Sequence, residues 1–341
     1  MLYNINLKED ERYFFISGYL KALENKLLKE SDFADLVELP IKNLFNILIE
    51  KGYRLHGDIE KTTYEMIFEW EIWHLKKIVS ENCDQNIFKL FFFHYDLPNI
   101  KKIIKAKHLL KINNPDDLYF YSYGIYEPKE IVKIIFDESY EKLEFPELAE
   151  FIVKFLNENK DNLYGEIIDI EFERFYFNYL LNELKSLKNK ILLDIFEKRL
   201  FLLNLKNLIR LKQEGKDQFE YNKIYIPGDG YGYDYFIDLY NLDFNQIITK
   251  LFSFDLSNEL IMAINEYIKN NDLGLLERIF DDLLTIYVRE MTKYLISDLT
   301  IIYSFIYAKE IELKNIKIIY VSKINNISQD KVKKILRKTY V

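Results

Sequence analysis

The sequence predicts an all-α protein made of three similar helical-bundle units. Three observations carry this: a shortage of turn-forming residues, apolar residues at helical spacing, and a motif that occurs three times. Of 341 residues, 10 are glycine and 6 are proline, well under the ~12% average share of the two together. Sheets joined by tight turns need these residues at their corners, which excludes sandwiches, barrels and propellers. Hydrophobic residues at 49% and charged residues at 30% give a buried core and a solvated surface rather than disorder.

The elements follow in order. Leu23, Leu27 and Leu28 lie on one helical face, and 88–104 and 200–211 show the same period. Proline and glycine fall near 98, 115, 124–128, 146 and 227–232, marking helix starts and turns. The motif Asn-(Ile/Leu)-Lys-x-(Ile/Leu)-Ile-x-x-Lys occurs at Asn99–Lys107 and Asn204–Lys212. It returns at Asn315–Lys323, where Tyr320 replaces the second isoleucine. An Ile/Leu-Glu pair opens an aromatic-rich helix before each copy, at Ile59-Glu60, Ile170-Glu171 and Leu276-Glu277. A third element, Ile41–Tyr53, matches Pro128–Tyr140, with a fainter form around Tyr235–Phe244. The recurrence divides the chain into units 1–112, 113–218 and 219–341.

On a helical wheel the motif asparagine lies beside the apolar residue four positions on. Asn99, Asn204 and Asn315 therefore edge onto the buried stripe, and each needs hydrogen-bond partners, most simply the backbone of a neighbouring helix end or turn. Lys107, Lys212 and Lys323 fall near a last turn, where a cation is favoured by about 0.3–1 kcal/mol. The motif reads as a repeated packing joint. Lys101, Lys206 and Lys317 point away from the core and read as partner-contact residues on one surface.

Catalytic, metal and cofactor signatures are missing. His56, His74, His94 and His108 show no paired ligand spacing, and a local hydrogen bond accounts for His94 near Asp96. No serine sits in a Gly-x-Ser-x-Gly turn. The loop Gly228–Gly232 lacks the P-loop Lys-Ser/Thr, and Tyr233 stands where a dinucleotide fingerprint needs its third glycine, so it reads as an exposed connector. Neither a cofactor nor a small-molecule ligand is expected. The single cysteine, Cys83, forbids an internal disulfide and fits a reducing compartment. The longest uncharged stretch, Leu299–Ala308, is too short to span a bilayer. Net charge is −8, which disfavours nucleic acid, although 309–341 carries nine Lys/Arg against three Asp/Glu. The segment Asp137–Glu150 is an acidic run.

Several strings resemble one family. Leu23-Glu24-x-x-Leu27-Leu28, then Ser31-Asp32-Phe33-x-x-Leu36 and Tyr53, resemble the opening of the C subunit of the bacterial and archaeal V/A-type rotary ATPases, related to the d subunit of the eukaryotic vacuolar ATPase. Asp96-x-x-Asn99-Ile100-Lys101 is similar to its first internal joint. Asn204-Leu205-Lys206 through Lys212, with the glycine loop after Pro227, is similar to the second. Ala308-Lys309-Glu310-x-Glu312-x-Lys314-Asn315-Ile316-Lys317 resembles its C-terminal signature. Asp229 and Tyr231 depart from the plainer glycine turn usual there.

The resemblance implies three helical bundles in a funnel-like body with quasi-threefold symmetry. It implies a non-catalytic rotor component, peripheral on the cytoplasmic side of the membrane. Such a component joins the D and F subunits of the central stalk to the membrane proteolipid ring for ATP-driven proton or sodium transport. A helical-repeat scaffold of another complex shares the threefold pattern and is the alternative.

Overall fold

The computed structural model describes residues 10–54, 63–112, 118, 120–251 and 257–341. His56, the Ile59-Glu60 pair and Pro115 lie outside these residues. The described residues form α-helices and no strand, so the protein is all-α. In chain order these are α1 (Phe14–Glu24), α2 (Glu30–Glu38), α3 (Ile41–Glu50), α4 (Tyr64–Asn82), α5 (Gln85–Phe92) and α6 (Leu97–Ile104). Next come α7 (Pro128–Phe136), α8 (Pro146–Glu158), α9 (Gly165–Leu187), α10 (Lys190–Gln213), α11 (Gln218–Ile224) and α12 (Tyr233–Asn241). The last are α13 (Phe244–Leu251), α14 (Ser257–Asn270), α15 (Leu273–Thr292), α16 (Leu299–Ile324) and α17 (Gln329–Ile335).

The helix starts follow local chemistry. Proline stands in the first turn of α6, α7 and α8, where its missing N–H costs nothing. Side-chain caps open the long helices: Asn189 accepts from the Leu192 N–H at α10, Asp272 from Leu275 at α15, and Asp298 from Thr300 at α16.

Two compact units result, one of Met1–Leu75 with Leu184–Val341 and one of Lys76–Glu183. In the first, α15 packs against both α10 and α14. The uncharged stretch Leu299–Ala308 is buried along its whole length at the start of α16, which explains its composition: a helix covered on all sides carries no polar stripe. Capping residues join the elements here, since Asn189 donates from Nδ2 to Asp298 Oδ1 at 2.9 Å.

The second unit has an aromatic core. Phe93 and Phe145 lie 4.6 Å apart between ring centroids, and Phe151 meets Phe172 edge-on at 5.0 Å. Here α6 ends in a π-helical turn, Lys105–Leu109, whereas α10 and α16 carry their copies of the motif in regular α-helix.

Candidate functional site

The three motif asparagines make the same pair of hydrogen bonds. Asn99 Nδ2 donates to the Tyr121 carbonyl at 2.7 Å, and the Tyr121 N–H donates to Asn99 Oδ1 at 3.0 Å. Asn204 does the same with Ile226, at 2.7 and 3.1 Å. Asn315 pairs with Arg337, at 2.9 and 2.8 Å. The sequence separation is 22 residues in every case. A carboxamide carries the same donor and acceptor as a peptide group, so one side chain satisfies both polar groups of one backbone residue. Asn204 and Asn315 are fully enclosed and Asn99 nearly so. Burial makes the pairing obligatory, because an unpaired buried polar group costs about 1–3 kcal/mol.

The lysines at the end of each motif cap helices. Lys107 Nζ donates to the carbonyls of Ile135 (3.0 Å) and Phe136 (3.1 Å) at the end of α7, and pairs with Glu138 at 2.7 Å. Lys212 Nζ donates to the Tyr240 carbonyl of α12 at 2.7 Å. Lys323 Nζ donates to the carbonyls of Val37 (2.8 Å) and Leu39, at the end of α2. The capped helices α2, α7 and α12 are each nine residues long. The counterpart of α7 is therefore α2, whereas sequence likeness pairs α7 with α3. Helices α3 and α7 do end alike, though one residue out of the register of that match: the N–H of Tyr53 returns to the Leu48 carbonyl as that of Ser139 returns to Ile134.

The lysines two places after each asparagine lie on a flank packed by a long helix. Lys101 is half-buried and meets Glu173 at 3.1 Å and Asp169 at 3.8 Å, both on α9. Lys206, also half-buried, lies 3.9 Å from Glu277 of α15, and burial lowers its pKa against the pull of that carboxylate. Lys317 is exposed and sits over the Tyr64 ring of α4 at 5.5 Å.

A buried carboxylate stands at each joint, and the motif gives no sign of it. Asp96 accepts from the N–H groups of Ile125 (2.8 Å) and Tyr126 (3.1 Å) just before α7. Burial pushes its carboxyl up to about 7, against the opposing pull of those two N–H bonds. Asp229 is the inward residue of an otherwise exposed glycine loop; it accepts from Tyr231 and Gly232, both at 3.0 Å, and from Asn204 Nδ2 at 2.8 Å. Those N–H groups are what a phosphate would use, and the chain's own carboxylate already holds them. Glu312 accepts from the Leu28 N–H and the Tyr53 hydroxyl and pairs with Lys309 at 2.6 Å. Lys309 meets Glu71 at 2.9 Å and lies 4.4 Å from the centre of the Tyr53 ring. Burial pulls the Lys309 ammonium down, but Glu312 and Glu71 outweigh it and hold its pKa above the ordinary value.

The arrangement positions backbone. No His/Cys/Asp/Glu group suited to a metal occurs among the described residues. A groove of about 420 Å³ beside Lys323 is lined mainly by Val37, Leu39, Ile41, Ile319, Ile327 and Val332, with no carboxylate or histidine in its wall.

The family described as ATP synthase (C/AC39) subunit matches residues 16–335. The A-type ATP synthase C subunit of Thermococcus onnurineus is 26% identical over 340 residues, covering 90% of this chain and 85% of the relative. The protein of the same name from Desulfurococcus sp. is 23% identical over 356 residues, covering 95% and 90%.

Proposed function

The chain belongs to the ATP synthase (C/AC39) subunit family, and on that footing we propose that it is a non-catalytic rotor piece, a socket between the central stalk and the membrane ring. Its partners are the D and F subunits of the central stalk on one side and the proteolipid ring on the other, with proton or sodium transport as the driven process. It works from the cytoplasmic side as a peripheral component; no helix among the described residues is long and apolar enough to cross a membrane. The observation that carries the reading is the recurrence of one asparagine joint at a fixed 22-residue separation in a chain of this family. Transmitting torque demands stiffness, and close-packed helices tied by buried, satisfied polar pairs resist deformation. The proposed organisation is three units, 1–112, 113–218 and 219–341, in quasi-threefold arrangement, with each joint drawing on residues of two of them.

Lys101, Lys206 and Lys317 and the acidic 137–150 segment are the proposed partner contacts; of the three lysines, Lys317 is exposed. Deleting the protein from the complex is expected to leave ATP hydrolysis running while ion pumping stops. Coupled pumping without it contradicts the reading. Lys317→Glu is expected to weaken assembly more at low salt than at high salt, and assembly unchanged at low salt removes that contact from the proposal.

A further inference from the structure

We propose that each joint requires one carboxylate on the same backbone N–H, that of the second residue before the capped helix, and that two chain positions are interchangeable as its source. The N–H groups in question belong to Tyr126 before α7, Tyr231 before α12 and Leu28 before α2, and each donates to a buried carboxylate. In the first joint the acid is Asp96, three residues before the asparagine. In the third it is Glu312, also three residues before. In the second that position holds Phe201, whose ring packs 4.8 Å from Tyr231, and the acid is Asp229 instead, 25 residues after Asn204.

The two positions compensate. The residue equivalent to Asp229 in the first joint is Gly124, and a Cβ there would lie 2.0 Å from Asp96 Oδ1 and 2.6 Å from its Cγ. Asp96 and a side chain at 124 therefore exclude each other. In the second joint the earlier position is aromatic and the later one carries the acid; in the first the earlier one is acidic and the later one is glycine. In the third the earlier one is acidic again and the later one, two residues before Leu28, is the exposed Lys26. Gly124 lies outside the left-handed region, so an aspartate there meets no backbone strain once Asp96 is removed. The physical need is common to the joints: a buried N–H close before a helix must find an acceptor, and a carboxylate there also meets the positive end of the helix. This exchange concerns the joints alone and does not depend on which complex the chain serves.

The test is a transplant in the full chain. Asp96→Ala and Gly124→Asp are each expected to lower the thermal midpoint by several degrees, the first by orphaning two N–H groups and the second by steric and like-charge conflict. The double variant Asp96→Ala/Gly124→Asp is expected to regain more than half of the larger loss. Asp96→Ala/Gly124→Leu supplies similar bulk without an acceptor and should not recover. Equal recovery with aspartate and leucine overturns the inference, because relief of crowding then explains the coupling. A double variant that is no more stable than the worse single, or does not fold, overturns it as well.

Discussion

The joint around Asn204 and the joint around Asn315 belong to the same compact unit and use the same asparagine pairing, yet they are closed differently. Around Asn204, every partner lies within 28 residues of the residue it serves: Ile226, Asp229 and, for Lys212, Tyr240. Around Asn315, the asparagine's own partner is local, but Glu312 and Lys323 reach Leu28, Val37 and Leu39 across 284–286 residues. The local joint is held by a loop that folds back and supplies its own carboxylate. The long-range joint carries a buried ionic cluster of Glu312, Lys309 and Glu71 with the Tyr53 hydroxyl. Where sequence proximity does not deliver the partner, buried charge fixes its place, and such groups are costly when one member is lost.

The largest effect is therefore expected from Glu312→Ala. It strips Lys309 of one of its two carboxylates and leaves the Leu28 N–H and Tyr53 hydroxyl unpaired. Breaking a buried pair in this way costs about 3–5 kcal/mol. Urea denaturation measures it, and a loss below that of Asn204→Ala would erase the contrast.

Asn204→Ala comes next, at about 1–3 kcal/mol for each buried polar group left without a partner. Asn99→Ala is expected to cost less, because its pairing is only part-buried. Equal losses would mean that burial does not set the strength of the joints. Lys107→Met ranks below both, at about 0.3–1 kcal/mol for the lost charge at a helix end. Thermal unfolding of the variant beside Lys323→Met sharpens the comparison, since Lys323 caps a helix from a distant part of the chain and should cost more.

A further effect is one of pH. Burial raises the Asp96 carboxyl to about 7, against about 4 when unfolded. Between those values the folded state binds the extra proton, so stability falls as pH rises through this window. Protection of the Ile125 and Tyr126 amides, corrected for intrinsic exchange, should drop from pH 5 to pH 7. Asp96→Asn should flatten that trend, and an unchanged slope would assign it to another group.

The all-α class and the asparagine motif are legible in the sequence because both are local: turn-residue scarcity and helical period need only neighbouring residues. The motif also tells that Asn99, Asn204 and Asn315 sit at the edge of a buried stripe. It does not tell that Lys101 and Lys206 are half-buried, because a wheel drawn around one core face ignores a second helix on the flank. Nor does it reveal α2 as the counterpart of α7, whose equivalence rests on a hydrogen bond spanning 286 residues. Asp229 reads as part of an exposed connector because the loop around it is exposed; its own burial depends on Asn204. The carboxylates escape the motif because one role is filled from two chain positions.

Native-state hydrogen exchange on the full chain, read at the Tyr121, Ile226 and Arg337 amides, tests most directly whether the three asparagines are copies of one device. Each amide should be protected well beyond ordinary loop amides, and each should lose that protection when its own asparagine becomes alanine while the other two keep theirs. Loop-like exchange at any of the three in the unaltered protein, or joint loss at all three from a single substitution, would contradict the account.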